Sequence, residues 1–154
     1  MIGYEVMLRH RMSAGEAHYA GNLVQGAYIV NEWGDVGTEL AIRLFGDESL
    51  FVGYSEVRYT APVFAGDWME YSGYIEKVGN TSFTCHFEAK KVMELEKDWQ
   101  AKGLADSAAN VLPEPVLCAY ATGTLMVKKE NQRLEAADPK FVADLKAYRA
   151  AQGK

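Results

Sequence analysis

The sequence predicts an α+β domain: one long helix against an antiparallel sheet of about five strands, with a short helix near the C-terminus. Three observations predict it. Only one long stretch, residues 21–44, carries apolar side chains at helical spacing. One stretch before it and four after it read as strands. The connections 62–67 and 79–80 are turn signals, so the strands follow one another with mostly short connections. At 154 residues the chain fits a single domain, 1–154, with enough length for a core that needs no disulfide or metal staple.

Each element has its own warrant. Residues 3–11 alternate loosely as a first strand, and 13–19 form a polar loop holding His18 and Tyr19. In the long helix, Leu23, Gly26, Val30, Trp33, Gly37, Leu40 and Leu44 share a face. Gly26, Gly34 and Gly37 lower its intrinsic propensity, so a helix that keeps them is expected to press close against a sheet. Gly46-Asp47 ends it. Strands follow at 50–62, 68–78 and 82–94. Pro62 stops the first from donating hydrogen bonds, Gly66-Asp67 makes the next turn, and Gly79-Asn80 makes a hairpin. Residues 96–115 mix charges, alanine, glycine and two prolines and read as a long loop. Residues 116–128 are the last strand. Residues 138–151 form a short helix with Phe141, Val142, Leu145 and Tyr148 on one side.

Composition removes several function classes. The net charge is −5 and no basic run exceeds a pair, so no nucleic-acid partner is expected. Cys85 and Cys118 lie in strands without Cys-x-x-Cys spacing, as small buried thiols of a reducing compartment. There is no signal-peptide pattern and no run approaching the ~18 apolar residues of a membrane span, so a cytoplasmic location is expected. The three histidines are too scattered for a metal motif, and there is no phosphate loop, nucleophile elbow or redox motif.

Two groups of residues could carry chemistry. Residues 18–26 (HYAGNLVQG) lead into the helix N-terminus, where free N–H groups and the dipole favour an oxygen bearing developing negative charge. Gly21 and Gly26 leave room for a ligand oxygen to approach, and Asn22 and Gln25 supply amides. The plainer reading of Asn22 is a helix cap. The second group is Glu32, Asp35 and Glu39, one acidic stripe with Tyr28 a turn earlier. A solvated face is the plainer reading, with Arg43 pairing Glu39. Against it, Asp35 has acidic neighbours a turn away on both sides and no cation there. If that part of the helix is enclosed, carboxylates there would work as acid and base. Tyr54, Glu56 and Arg58 alternate on one face of the next strand; cross-strand pairing is the plainer reading, and Glu56 is kept as a further binding candidate.

The punctuation of 59–88 resembles the hotdog family of acyl-CoA thioesterases and hydratases. That resemblance implies a sheet wrapped round one central helix, paired edge to edge with a second copy. In the thioesterases an Asn or His followed by Gly-Gly binds the thioester carbonyl. Here Gln25-Gly26 meets half of that pattern, and Asp35 lies about two residues past the usual thioesterase carboxylate. At closer range the chain is similar to the β-alanyl-CoA and 3-aminobutyryl-CoA ammonia-lyases. The similarity rests on 17–27 (AHYAGNLVQGA), 29–40 (IVNEWGDVGTEL), 49–54 (SLFVGY), 60–63 (TAPV), 66–71 (GDWMEY), 75–80 (IEKVGN), 115–118 (PVLC) and 121–125 (ATGTL).

That similarity implies reversible loss of ammonia from a 3-aminoacyl-CoA to a 2-enoyl-CoA, in amino-acid fermentation such as lysine degradation. It implies a homodimer or larger, plausibly a hexamer of three dimers. The residues suit such a reaction. Helix N-terminal donors would hold an enolate, one carboxylate would take the α-proton, and another would hold the ammonium group. Asp35 and Glu39 are the candidate carboxylates, with Tyr19 or His18 assisting. Asn22, Gln25, Gly26 and Glu56 are candidates for binding, and no cofactor is required. An acyl-CoA thioesterase and a non-catalytic acyl-CoA-binding protein remain alternatives.

Overall fold

The computed structural model describes residues 1–153. Its elements are β1 (Val6–Arg11), α1 (Gly26–Phe45), β2 (Leu50–Tyr59), β3 (Trp68–Val78), β4 (Ser82–Leu95), β5 (Ala109–Met126) and α2 (Pro139–Ala151), with single 3₁₀ turns at Ala20–Asn22 and Lys129–Asn131. One five-stranded sheet runs in the order β1-β3-β4-β5-β2, and every neighbouring pair is antiparallel. The α+β arrangement is therefore as expected.

The long helix lies on this sheet because its inner face is apolar and closely fitted. Trp33, Val36, Leu40 and Leu44 are fully buried. The Trp33 indole stacks on Phe87, 6.0 Å between centroids, and its Nε1 donates to the Glu88 carbonyl at 3.0 Å. Gly37 lets backbone and sheet approach: a methyl group there would come within 3.0 Å of Leu125. Gly46 closes the helix in the left-handed conformation at φ 65°, its N–H bonding the Ile42 carbonyl.

The turn signals do more than reverse the chain. The Asp67 carboxylate accepts from the Phe64 N–H at 2.8 Å and pairs with Lys91 Nζ at 2.9 Å, both side chains nearly inaccessible. Burial works to lower the Lys91 pKa, but the hydrogen bond and charge of Asp67 outweigh it and hold the ammonium above its usual value. Gly79 donates to the Ser82 carbonyl at 2.7 Å and closes the β3–β4 hairpin.

Four expected boundaries move. The helix begins at Gly26, not at 21, because Gly21 and Asn22 have φ of 72° and 61° and cannot continue a right-handed helix. The first strand starts at Val6 rather than at 3. The strand after the helix ends at Tyr59, short of Pro62. Finally, the loop expected over 96–115 ends at 108, and β5 runs through Pro113 and Pro115. Those prolines are tolerated because they fall in a break of the ladder: pairing with β4 jumps from Lys91↔Val116 to Met93↔Val111, and β2 stops opposite Ala119.

Strand β2 is a sheet edge, and its register shifts between Phe51 and Gly53 and again between Tyr54 and Glu56. The bulges put Phe51, Tyr54 and Val57 against the core and leave Leu50 and Val52 63% exposed. At the C-terminal side, Asp138 caps α2 by accepting from Lys140, and Phe141 and Leu145 are buried. Arg43 Nη1 reaches Asp138 at 2.8 Å and ties α2 to α1. Among the described residues, no helix is long and apolar enough to cross a membrane.

Candidate active site

The start of α1 is pinned from below. Leu23 bridges to Tyr19 and to Phe64, Val24 donates to the Val63 carbonyl at 2.8 Å, and Ala65 donates to the Asn22 carbonyl at 2.9 Å. The residue at the N-cap is Gln25, and it makes no side-chain cap. Asn22 is thus not the cap, because the helix starts four residues later. The first-turn N–H groups of α1, Gly26 and Ala27 foremost, have no carbonyl within the helix to bond.

A cleft of about 440 Å³ lies against this helix end, lined by Tyr19, Gly26, Ile29, Tyr59 and Thr60 together with apolar residues from both connecting loops. Its polar side chains are Tyr19, Tyr59 and Thr60, and Thr60 is already committed to the Leu117 carbonyl at 2.7 Å. Tyr59 lies directly over Gly26. A methyl group at Gly26 would fall 2.6 Å from the ring and 2.9 Å from the hydroxyl. Burial raises the Tyr59 pKa above the usual phenol value, so its hydroxyl keeps its proton across the physiological range.

The acidic stripe divides three ways. Asp35 is exposed, and among the described residues no cation lies within ion-pair distance of it. Glu39 is half-buried and accepts from Arg43 at 2.9 Å, which with Asp138 makes a three-member ion cluster. The Glu39 hydrogen bond holds the Arg43 guanidinium above its ordinary pKa. Glu32, only 9% exposed, lies 3.7 Å from His10 Nδ1, which also meets the Tyr28 hydroxyl at 3.0 Å. Burial, then the Glu32 charge, pushes the Tyr28 phenol well above its usual value. The expected enclosure of Asp35 is absent within one protomer, because nothing in its own chain covers that face of α1. Glu32 is the enclosed carboxylate.

Of the other candidates, His18 and Tyr19 are exposed and meet edge to face at 5.4 Å. Glu56 is exposed and paired with Arg58 at 3.2 Å. Tyr54 does not share its face, because the bulge intervenes. Asn22 opens onto a neighbouring cleft of about 450 Å³ beside Phe64, Lys97 and Trp99. One protomer therefore brings Tyr19, Gln25 and Gly26 to the helix end and leaves Asp35, Glu39 and Glu56 outside the cleft. Among the described residues, no group of three or more His, Cys, Asp or Glu side chains could hold a metal ion. Sequence reasoning missed Tyr59. The one signal for it was Gly26, whose missing side chain had to make room for something.

A family model for the thioesterase superfamily matches residues 23–94. The hexameric hotdog-fold thioesterase Cj0915 of Campylobacter jejuni superposes with a TM-score of 0.64 at 16% identity, covering 82% of this chain and 85% of that one. The superposition and the helix packed on its antiparallel sheet thus define a hotdog fold. Two relatives narrow this. The 3-aminobutyryl-CoA ammonia lyase of Acetoanaerobium sticklandii is 47% identical over 127 residues, 82% of this chain and 97% of the relative. The solved β-alanyl-CoA:ammonia lyase of Clostridium propionicum has a TM-score of 0.80 at 53% identity, covering 86% of this chain and 91% of that chain. The chain belongs to the family of these aminoacyl-CoA ammonia lyases.

Proposed function

We propose that the protein catalyses reversible elimination of ammonia from a 3-aminoacyl-CoA, 3-aminobutyryl-CoA or β-alanyl-CoA, to give the 2-enoyl-CoA. The observation that carries this reading is the identity of about half to two ammonia lyases over nearly their whole lengths. The chemistry is self-sufficient. The thioester acidifies the α-carbon, a carboxylate takes the α-proton, and the Cβ–N bond breaks as the C=C bond forms. The nitrogen leaves as ammonia from its protonated form, and no cofactor is needed.

The carboxylate most available for this work is Asp35, unpaired on the uncovered face of α1. Glu39 shares its charge with Arg43 and is the weaker candidate for binding the substrate's ammonium group. Since the cleft holds no carboxylate from its own chain, the reading includes a site completed by a second protomer. The unpaired β2 edge and the exposed Asn31, Asp35 and Ile42 of α1 support a homodimer or larger, a hexamer of dimers included. A cytoplasmic location in amino-acid fermentation, such as lysine degradation, accompanies it.

The test is enoyl-CoA with ammonium at mildly alkaline pH. A lyase consumes the enoyl absorbance without releasing free thiol. Thiol release would make the protein a thioesterase, and no change in either signal would make it a binding protein. The two amino substrates differ by one methyl in an apolar cleft, so their kcat/KM values are expected within ~200-fold of each other.

A further inference from the structure

The cleft at the start of α1 contains one polar side chain that neither the relatives' names nor the acidic stripe accounts for. Tyr59 comes from the last position of β2, and its hydroxyl reaches the first residue of α1. A methyl group at Gly26 would lie 2.9 Å from that oxygen. The other hydroxyls are placed differently. Thr60 is bonded to Leu117, and Tyr19 extends from the loop before the helix; Tyr59, about as exposed as Tyr19, is the hydroxyl set over Gly26. The remaining walls are apolar.

We propose that the Tyr59 hydroxyl is a catalytic hydrogen-bond donor to the thioester oxygen, acting beside the first N–H groups of α1. The proposal rests on the ammonia-lyase reading and adds a residue to it. When the base takes the α-proton, the C–H electron pair moves into the thioester and its oxygen gains negative charge. Tyr59 and the helix end donate hydrogen bonds to that oxygen, and no proton leaves Tyr59. The pair then returns to form the C=C bond as the Cβ–N bond breaks and ammonia departs. Gly26 is required because any side chain there would push the phenol off the helix end.

Tyr59→Phe keeps the ring and deletes the donor. With enoyl-CoA and ammonium, kcat should fall about 10²-fold, the usual loss for one such donor, while KM for enoyl-CoA stays within about threefold. Deuterium exchange at the α-carbon of butyryl-CoA, which needs the enolate but no amine, should fall by a similar factor. Tyr59→Ala should lose as much in kcat and raise KM as well. A Phe variant within twofold of an active wild type in turnover and exchange overturns the inference and leaves the lyase reading standing. So does a Phe variant that loses activity only through KM. A wild type that does not consume enoyl-CoA overturns both.

Discussion

The two faces of α1 contrast in burial and in charge. The inner face packs Trp33, Val36, Leu40 and Leu44 on the sheet with no accessible surface left, and Gly37 removes the last obstacle to contact. The outer face leaves Asn31, Asp35 and Ile42 exposed. Between them runs a flank of paired polar groups, Tyr28–His10–Glu32 and Glu39–Arg43–Asp138. Stability is thus concentrated on one side of the helix and unspent charge on the other, so substitutions on the two sides should fail in different ways.

The sharpest break is Trp33→Ala. It removes a fully buried indole and its bond to Glu88, and should cost about 3–5 kcal/mol of unfolding free energy, read by urea denaturation. Asp35→Asn should do the reverse. Turnover should drop at least ~10²-fold, about 2.7 kcal/mol of transition-state stabilisation, while the melting temperature holds or rises. The rise follows from relief of repulsion with the acidic neighbours a turn away. Near wild-type turnover in Asp35→Asn would move the search to the enclosed Glu32.

Glu39→Gln should fall between these. It gives up a half-exposed pair with Arg43, worth at most about 1 kcal/mol, and should weaken binding of the amino substrate more than binding of the enoyl product. The smallest effect belongs to Asp138. The Lys140 N–H, with help from Arg43, holds its carboxyl below the usual value. Its share of stability is therefore present above the ordinary carboxylate pKa of about 3.9 and lost as pH falls below that toward the depressed value. Acid unfolding of Asp138→Asn, followed by circular dichroism, should show less pH dependence in that range than the wild type.

Elements whose cause is local were legible in the sequence. Gly66-Asp67 and Gly79-Asn80 are turns because of their own chemistry, and the spacing of Trp33, Gly37, Leu40 and Leu44 defines a helix face wherever it occurs. Features with distant causes were not legible. Pro113 and Pro115 read as part of a loop before β5, yet whether a strand tolerates them depends on where its ladder breaks and which neighbour is missing, and that is topology. The core positions Phe51, Tyr54 and Val57 escape a two-residue alternation because two bulges intervene. The same holds at the site. Gly26 stood out in the sequence, but Tyr59 is brought to it only when the end of β2 folds over the helix.

The hairpin joining β4 to β5 has a practical consequence for handling the protein. Its loop, 96–108, is largely exposed and carries Lys97 and Lys102, while the strands on either side zip from Ser82↔Met126 out to Leu95↔Ala109. A tryptic nick there severs the chain without separating the halves, because the ladder holding them together lies outside the cut. Two fragments on a denaturing gel would then coexist with one intact particle by gel filtration. The same two pieces, expressed apart, would be the natural pair for testing whether this fold reassembles from halves.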